Sequence, residues 1–322
     1  MDILLIERLV PECVAWLEAR HTVEHRPDVA YEPGALRAAV GSARAVVLPR
    51  KAVVTREFLA AAPMLRIVGR MHADTDNTDL EACRERRVEV VQARSAHVRS
   101  NAEFLLASLL MLYRRGIGLP LAGQRHADFR VGRELGGSTV GLLGIAPAAH
   151  TLALLLRGLG ARLIGYDPAV HRSSPLWSRL NVEPVGLYEL VSFADAISVQ
   201  IIYGSRYQHL VNDRLLAYCK PGQYWVSISR SAVFEPHALA RALADGRIDS
   251  CVVDGAEAGF ASRGSPLHES NNLYLTPRLG SHTREARVRA SWFLAGRLHD
   301  CLTRADPVPD TAPHDPATAP IV

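Results

Sequence analysis

Short apolar segments alternate with stretches whose apolar residues recur every three or four positions, from the start of the chain to about residue 303. The segments DILLIE, TVEHR, AVVLPR and LRIVGR have the length and composition of strands, and the intervening stretches have helical periodicity. This alternation is typical of parallel sheets with crossover helices. A second series begins at Ser138 with TVGLLGI, which predicts a second doubly wound unit.

The order of the segments predicts an α/β protein with two doubly wound parallel-sheet domains. We assign residues 1–98 plus 284–303 to one domain and residues 99–283 to the other. The helix predicted at 101–116 is apolar around most of its circumference, so we expect it to pack between domains or subunits, which favours a homodimer. Residues 304–322 are rich in proline and alanine and lack a periodic apolar face, so we expect a disordered tail.

Composition and charge narrow the possible partners. The 322 residues are 48% hydrophobic and 22% charged, which is enough apolar material for two packed cores. The formal charge of +4 comes from scattered arginines with no basic run, so nucleic acid is not an expected partner. The first residues carry acids, and no apolar stretch approaches the roughly 18 residues of a membrane span. We therefore expect a cytoplasmic protein without a membrane partner.

The five cysteines indicate neither disulfides nor a metal site. They are odd in number, widely spaced and without a C-x-x-C pair. We interpret them as buried free thiols, and we predict no metal.

The stretch TVGLLGIAPAAH at 139–150 resembles a strand that leads into a dinucleotide-binding loop. In the pattern G-x-G-x-x-G/A the first glycine allows the tight turn, and the second lets the backbone approach the pyrophosphate. The third lets the helix pack closely on the strand. Those places hold Gly144, Ala146 and Ala149. Ala146 adds a methyl group near the phosphate, and Pro147 removes one amide donor. We predict cofactor contacts at Gly144, Ala146, Pro147 and Ala148, with weakened binding.

Asp167 ends the next strand, in GYDP, about 20 residues after the loop. A carboxylate there accepts hydrogen bonds from a ribose and repels a 2′-phosphate, which favours NAD over NADP. The alternative is that Asp167 simply opens an Asp-Pro turn.

The segment order resembles the D-isomer-specific 2-hydroxyacid dehydrogenases over residues 1 to 303. The strongest match is KPGQYWVSISRSAVFEPHALARALADGRI, which is similar to the family segment around its substrate-binding arginine. The resemblance implies two Rossmann-like or flavodoxin-like domains with a cleft between them, a dimer, and reduction of 2-oxo acids with NADH. The domain at 99–283 would bind the dinucleotide, and the other domain the substrate.

The resemblance implies roles for particular residues. Arg230 matches the arginine that clamps the acid, and Asp254 would lie near the nicotinamide. Where the family has T-P-H with its catalytic histidine, this chain has Thr276-Pro277-Arg278, and a guanidinium does not relay protons near neutral pH. The glutamate that orients the histidine falls on Gly259.

The substrate loop also departs from the family pattern. His72 and Asp74 stand at usually small positions, and His97 stands where asparagine is typical. We take these three residues as candidate substrate contacts. The strand that usually ends in H-x-P has Gln200 and Ile202 instead.

Three functions remain open. The first is an NAD-dependent reductase in which His282 and Glu257 take over acid-base chemistry beside Arg230 and Arg278. The second is a pseudoenzyme that binds a small anionic ligand or a partner without hydride transfer. The third is a non-redox catalyst that uses His72, Asp74, His97 and the arginines; the spacing of those histidines and the aspartate matches no metal-binding pattern.

Overall fold

The computed structural model describes residues 1–72, 77–115 and 131–304. Candidate Asp74 and all but the first residue of the tail predicted at 304–322 lie outside the described residues. The chain divides into two compact units, one formed by Met1–Arg94 with Arg287–Val322 and the other by Ser95–Ala286. The substrate-binding and dinucleotide-binding roles assigned to the two domains stay predictions.

The first unit contains a five-stranded parallel sheet with the strand order β2-β1-β3-β4-β5. β1, β3 and β4 are fully buried, as expected for strands covered by helices on both faces. The strands are β1 (Ile3–Leu5), β2 (Val23–His25), β3 (Ala45–Leu48), β4 (Ile67–Arg70) and β5 (Glu89–Gln92). The helices are α1 (Pro11–Glu18), α2 (Pro33–Ala39), α3 (Arg56–Ala61), α4 (Leu80–Glu85) and, for most of its length, α11 (Arg284–Thr303).

The second unit contains a seven-stranded parallel sheet with the order β12-β11-β10-β9-β6-β7-β8. The chain reverses its direction of growth across the sheet beside β6, which is where doubly wound sheets bind ligands. The strands are β6 (Thr139–Leu143), β7 (Arg162–Tyr166), β8 (Glu183–Pro184), β9 (Ala196–Val199), β10 (Gln223–Ser227), β11 (Ile248–Asp254) and β12 (Leu273–Thr276). The helices are α5 (Val98–Tyr113), α6 (Pro147–Gly158), α7 (Pro175–Leu180), α8 (Leu187–Phe193), α9 (Asp213–Leu216) and α10 (Pro236–Ala244).

The seven-stranded sheet has a hydrophobic core on each face. Trp225 belongs to one core and its neighbours Tyr224 and Val226 belong to the other, as the alternation of side chains along a strand requires. All three side chains are almost completely buried. Burial of one large apolar side chain stabilises the fold by roughly 1.5–3 kcal/mol. These cores hold the carboxyl ends of the strands in fixed positions.

The apolar helix α5 differs from its prediction at 101–116. It begins at Val98, where the hydroxyl of Ser100 donates to the carbonyl of His97 over 3.1 Å. It ends at Tyr113 because Arg115 adopts a left-handed conformation with φ of +52°. Its buried face packs against α6 and β10 within the second unit.

The prediction for the cysteines is confirmed: all five are free and buried. Burial raises the pKa of the Cys13 thiol to about 11 and of the Cys251 thiol to about 12. The thiols are therefore protonated and unreactive near neutral pH. No helix in the described parts of the chain combines the length and the apolar character that crossing a bilayer requires.

Two histidines in the first unit make its stability depend on pH. Nε2 of His21 lies 2.9 Å from Nδ1 of His299. Burial, followed by the neighbouring His299 imidazole, lowers the pKa of His21 below its ordinary value of 6.5. The unfolded chain therefore takes up a proton at a higher pH than the folded protein does, so the stabilisation present above pH 6.5 is lost as the pH falls.

We expect the melting temperature of the wild type to fall from pH 7.5 to pH 5.5 by more than that of His21→Gln, measured by thermal denaturation. The exposed His268 provides a control, since His268→Gln leaves the pair intact. Equal pH dependence in all three proteins would show that the pair does not contribute.

Candidate active site

The turn after β6 is built around Gly144. Its φ of +99° lies in the left-handed region that favours glycine. A Cβ at this position would lie 2.6 Å from the backbone nitrogen of Ile201 and 2.7 Å from the carbonyl carbon of Gln200. Because both neighbours are backbone atoms, side-chain movement does not relieve the collision. The geometry of the turn therefore requires the first glycine of the predicted loop.

Helix α6 begins directly after this turn. Ala146 precedes the helix in an extended conformation (φ −62°, ψ 160°), so alanine causes no backbone strain there. Pro147 occupies the first helical position, where its fixed φ favours helix initiation. The amide of Ala149 donates to the carbonyl of Ala146 over 2.7 Å. The amide of Ala148, in the first turn, lacks an acceptor four residues back within the helix.

Asp167 follows β7 and is hydrogen-bonded to the same loop. Its Oδ2 accepts from the amide of Ile145 over 2.6 Å, and its Oδ1 accepts from the amide of Ala169 over 2.7 Å. A carboxylate can accept about four hydrogen bonds, so both oxygens retain capacity for a hydroxyl donor. The structure thus brings together two elements of the predicted nucleotide site, the loop after β6 and Asp167. Asp167 also stabilises the turn that follows it, which was the alternative role predicted for this residue.

The guanidinium of Arg230, after β10, is held on two sides. Its Nε donates to Oε1 of Glu257 over 2.7 Å, and its Cζ lies 5.0 Å from the ring centroid of Tyr203. The other carboxylate oxygen of Glu257 accepts from the amide of Ser231 over 2.8 Å and from the Ser231 hydroxyl. The Arg230 side chain remains 36% exposed, so a ligand can reach it.

Glu257 is a stable anion in this setting. Burial by itself would raise the pKa of its carboxyl group, but hydrogen bonds from Ser231 and Arg230 outweigh burial and hold that pKa below its ordinary value. The carboxylate therefore stays deprotonated near neutral pH, which makes Glu257 unsuited to donate a proton.

Asp254 ends β11 and holds the segment that follows β12. Its Oδ1 accepts from Oγ1 of Thr276 over 2.5 Å and from the amide of Leu279 over 2.7 Å. Its Oδ2 accepts from the amide of Gly280 over 2.9 Å. The carboxylate therefore fixes the segment that carries Arg278. Its predicted place near a nicotinamide stays a prediction.

Arg278 has an unusual backbone conformation and lies against Gly255. Its φ of +62° and ψ of +41° are left-handed. A Cβ at Gly255 would lie 2.2 Å from Cγ and 3.0 Å from Nε of Arg278. Gly255, with φ of +74°, thus leaves the space that the arginine side chain occupies. Arg278 is half-buried.

His282 is exposed and close to the backbone of Arg278. Its Nδ1 lies 2.9 Å from the carbonyl oxygen of Arg278, so Nδ1 carries the proton and donates. This hydrogen bond holds the His282 ring against the turn that precedes α11. Nε2 takes no part in this contact.

The remaining candidates lie in several places. His97 is buried, with 8% of its surface exposed, directly before α5 in the second unit. His72 is half-buried after β4 in the first unit. Gly259 lies in a loop with φ of +94° and has open space around it. Across residues 1–72, 77–115 and 131–304, no three His, Cys, Asp or Glu side chains gather as a metal site.

Sequence reasoning missed three residues that shape the site: Ser231, Tyr203 and Gly255. Ser231 had a signal, since it directly follows Arg230. Tyr203 and Gly255 had none, because their roles depend on strands that are distant in sequence.

Comparisons with known proteins agree with this geometry. Residues 107–280 match the family described as "D-isomer specific 2-hydroxyacid dehydrogenase, NAD binding domain". The chain is 30% identical over 305 residues to (S)-sulfolactate dehydrogenase of Chromohalobacter salexigens, covering 94% of this chain and 98% of that protein. The chain belongs to the D-isomer-specific 2-hydroxyacid dehydrogenase family. It is also 33% identical over 311 residues to D-3-phosphoglycerate dehydrogenase of Mycobacterium tuberculosis, covering 96% of this chain and 58% of that protein.

Solved structures show the same dehydrogenase fold. The TT0316 protein from Thermus thermophilus aligns with a TM-score of 0.82 at 24% identity, over 94% of this chain and 97% of that one. A glyoxylate reductase from Paecilomyes thermophila aligns with a TM-score of 0.80 at 20% identity, over 94% and 96%. At these identities the structures support the two-sheet architecture.

The second unit of this family member fits the cofactor NAD. The Gly144 turn leads directly into the N-terminus of α6, and the carboxylate of Asp167 accepts from the amide of Ile145 in the same loop. These features support NAD despite the departures from the glycine pattern.

Gly144→Ala is expected to destabilise the protein and to abolish NADH binding. The added Cβ would collide with backbone atoms of Gln200 and Ile201, which directly follow β9. Gly137→Ala is the matched control: Gly137 also has a positive φ (+76°) but open space around it. The control should lose only the roughly 1–2 kcal/mol of left-handed strain. Thermal denaturation and NADH fluorescence titration measure both effects; equal losses would contradict the steric argument.

Gly255→Ala is expected to displace the Arg278 side chain and to lower stability by more than Gly259→Ala, whose added Cβ meets no neighbour. Arg278→Ala removes the colliding Cγ. In the Arg278→Ala background, Gly255→Ala should therefore cost only its backbone strain. A double-mutant cycle by chemical denaturation measures the coupling between the two positions. Additive losses would mean that the two residues do not share this space.

Proposed function

We propose that this protein is an NAD-dependent oxidoreductase that acts on a small 2-hydroxy or 2-oxo acid. The observation that carries the proposal is the Gly144 turn bonded to Asp167, at the same sheet edge that presents Arg230. The family match supports it, as do relatives named as dehydrogenases of sulfolactate and of phosphoglycerate, both anionic hydroxy acids.

Each part of the loop has a proposed role in holding the cofactor. The Gly144 turn and the amide of Ala148 hold the pyrophosphate, with Ala146 and Pro147 beside it, and Asp167 binds the adenosine ribose. Bound NAD would supply the hydride acceptor. Asp167 also disfavours a 2′-phosphate, which is the basis for NAD over NADP.

Arg230 binds the acid through its carboxylate. A guanidinium matches the planar geometry of a carboxylate and forms two parallel hydrogen bonds with it. Arg278 is a second permanent cation, which stabilises negative charge but does not exchange the proton. His282 is the proposed proton donor, acting through Nε2.

We also propose further substrate contacts, a homodimer and a cytoplasmic location. We propose that His72, Asp74 and His97 contact the substrate, because their segments match the family's substrate-binding segments. A homodimer is proposed because α5 leaves Leu110 and Met111 exposed although both are large and apolar. A cytoplasmic location accords with the composition of the chain.

The alternative function is a pseudoenzyme that binds an anionic ligand without hydride transfer. The replacement of the family histidine by Arg278 is the observation that favours it. The comparisons give it no support, because the relatives named above are dehydrogenases. Turnover measurements separate the two functions.

We expect the purified protein to bind NADH and to reduce NAD in the presence of (S)-sulfolactate, D-3-phosphoglycerate or D-lactate, followed at the absorbance of NADH. Arg230→Ala should raise KM for the acid by roughly 10- to 100-fold, since a charge-assisted hydrogen bond contributes about 1.5–3 kcal/mol. His282→Asn should lower kcat by about 10²-fold or more.

Arg263→Ala is the control, because Arg263 is exposed and lies in the loop after β11. Binding of NADH without turnover of any 2-hydroxy or 2-oxo acid would favour the pseudoenzyme. Unchanged acid affinity in Arg230→Ala would remove the proposed clamp.

A further inference from the structure

The carboxylate of Glu257 bridges Arg230 and the backbone that follows it. One oxygen accepts from Nε of Arg230 over 2.7 Å, and the other accepts from the amide and hydroxyl of Ser231. The backbone amide of Glu257 in turn donates to the hydroxyl oxygen of Ser231 over 3.1 Å. The carboxylate is thus fixed at both oxygens.

Sheet topology explains how residues 27 positions apart meet. β10 and β11 are neighbours, with Ser227 opposite Val253, so the loops that follow them leave the sheet side by side. Arg230 and Glu257 lie three residues beyond the ends of these two strands. Their contact therefore follows from the strand order.

We propose that Glu257 is a positioning residue that holds the guanidinium plane of Arg230 in the orientation that binds the substrate carboxylate. This inference rests on the proposed function, in which Arg230 binds the acid. A guanidinium has five N–H donors, so a bond from Nε to Glu257 is compatible with a bidentate grip on a second carboxylate. Tyr203 lies over the guanidinium and limits its tilt.

This role differs from acid-base chemistry. The hydrogen bonds from Ser231 and Arg230 keep the pKa of Glu257 low even though burial opposes them. The carboxylate is therefore charged throughout the neutral range and provides a constant electrostatic anchor. A long side chain such as arginine loses rotamer entropy when it is fixed, and an anchor formed before binding removes that cost from the binding step.

Glu257→Gln tests the anchor with little change in shape. The glutamine side chain keeps one acceptor oxygen. Its NH2 group would face another donor, either Nε of Arg230 or the backbone amide of Ser231, so one of these two hydrogen bonds is lost. Glu257→Asp keeps the charge on a shorter side chain and should restore part of the effect. Glu269→Gln is the matched control, since Glu269 is exposed and lies in the same β11–β12 connection.

The first measurement is independent of turnover. In proton–nitrogen spectra of arginine Nε groups, with the Arg230 signal identified by its loss in Arg230→Lys, we expect slow exchange with water in the wild type and in Glu269→Gln. Exchange should be about tenfold faster or more in Glu257→Gln, as expected for loss of a charge-assisted hydrogen bond. An unchanged rate would overturn the inference.

The wild type provides the same test if Glu257→Gln does not fold. The Nε proton of Arg230 should exchange with water more slowly than that of the exposed Arg263. Equal exchange rates would contradict the anchor.

The second measurement is kinetic. Glu257→Gln should raise KM for the acid about tenfold and change kcat less, leave NADH affinity unchanged, and be partly rescued by Glu257→Asp. A lower KM would show that Glu257 competes with the substrate, which would overturn the inference. If the wild type turns over no acid, the proposed function fails, while the exchange measurement still decides whether Glu257 holds Arg230.

Discussion

The end of β11 and the segment that follows it determine where both arginines of the second unit lie. Asp254 binds the segment after β12 through three donors, Gly255 leaves space for Arg278, and Glu257 holds Arg230. β11 lies between β10 and β12, so one short segment contacts the loops on both sides. The guanidinium of Arg230 is therefore held by Glu257, while the backbone of the segment that carries Arg278 is held by Asp254.

This arrangement changes the chemistry available to a dehydrogenase of this family. A histidine exchanges protons near neutral pH, whereas the guanidinium of Arg278 does not. The position of Arg278 nevertheless depends on the fold. Its backbone is left-handed, and the absence of a side chain at Gly255 leaves room for the arginine side chain. We propose that Arg278 contributes to anion binding. The exposed His282 lies four residues after Arg278 in the sequence.

The nucleotide loop shows how a degenerate motif retains its geometry. Only the first glycine is required by steric contact, because its Cβ would meet the backbone after β9. The second position has an extended conformation that alanine adopts freely, and proline is favourable at the first helical position. The departures therefore change donors and surface around the phosphate while the turn itself is preserved.

The alternation of strand and helix patterns, by itself, indicated the two parallel sheets, the site of the nucleotide loop and the place of Asp167, whereas Arg230 was identified only through the resemblance to the family. The first three features depend on local periodicity and on spacing along one βαβ unit. Only the tertiary structure decided that Glu257 contacts Arg230, that Gly255 admits Arg278, and that α5 ends at Tyr113. These contacts depend on strand order and on backbone angles. Both are set by packing between segments that are far apart in sequence, so no local pattern encodes them.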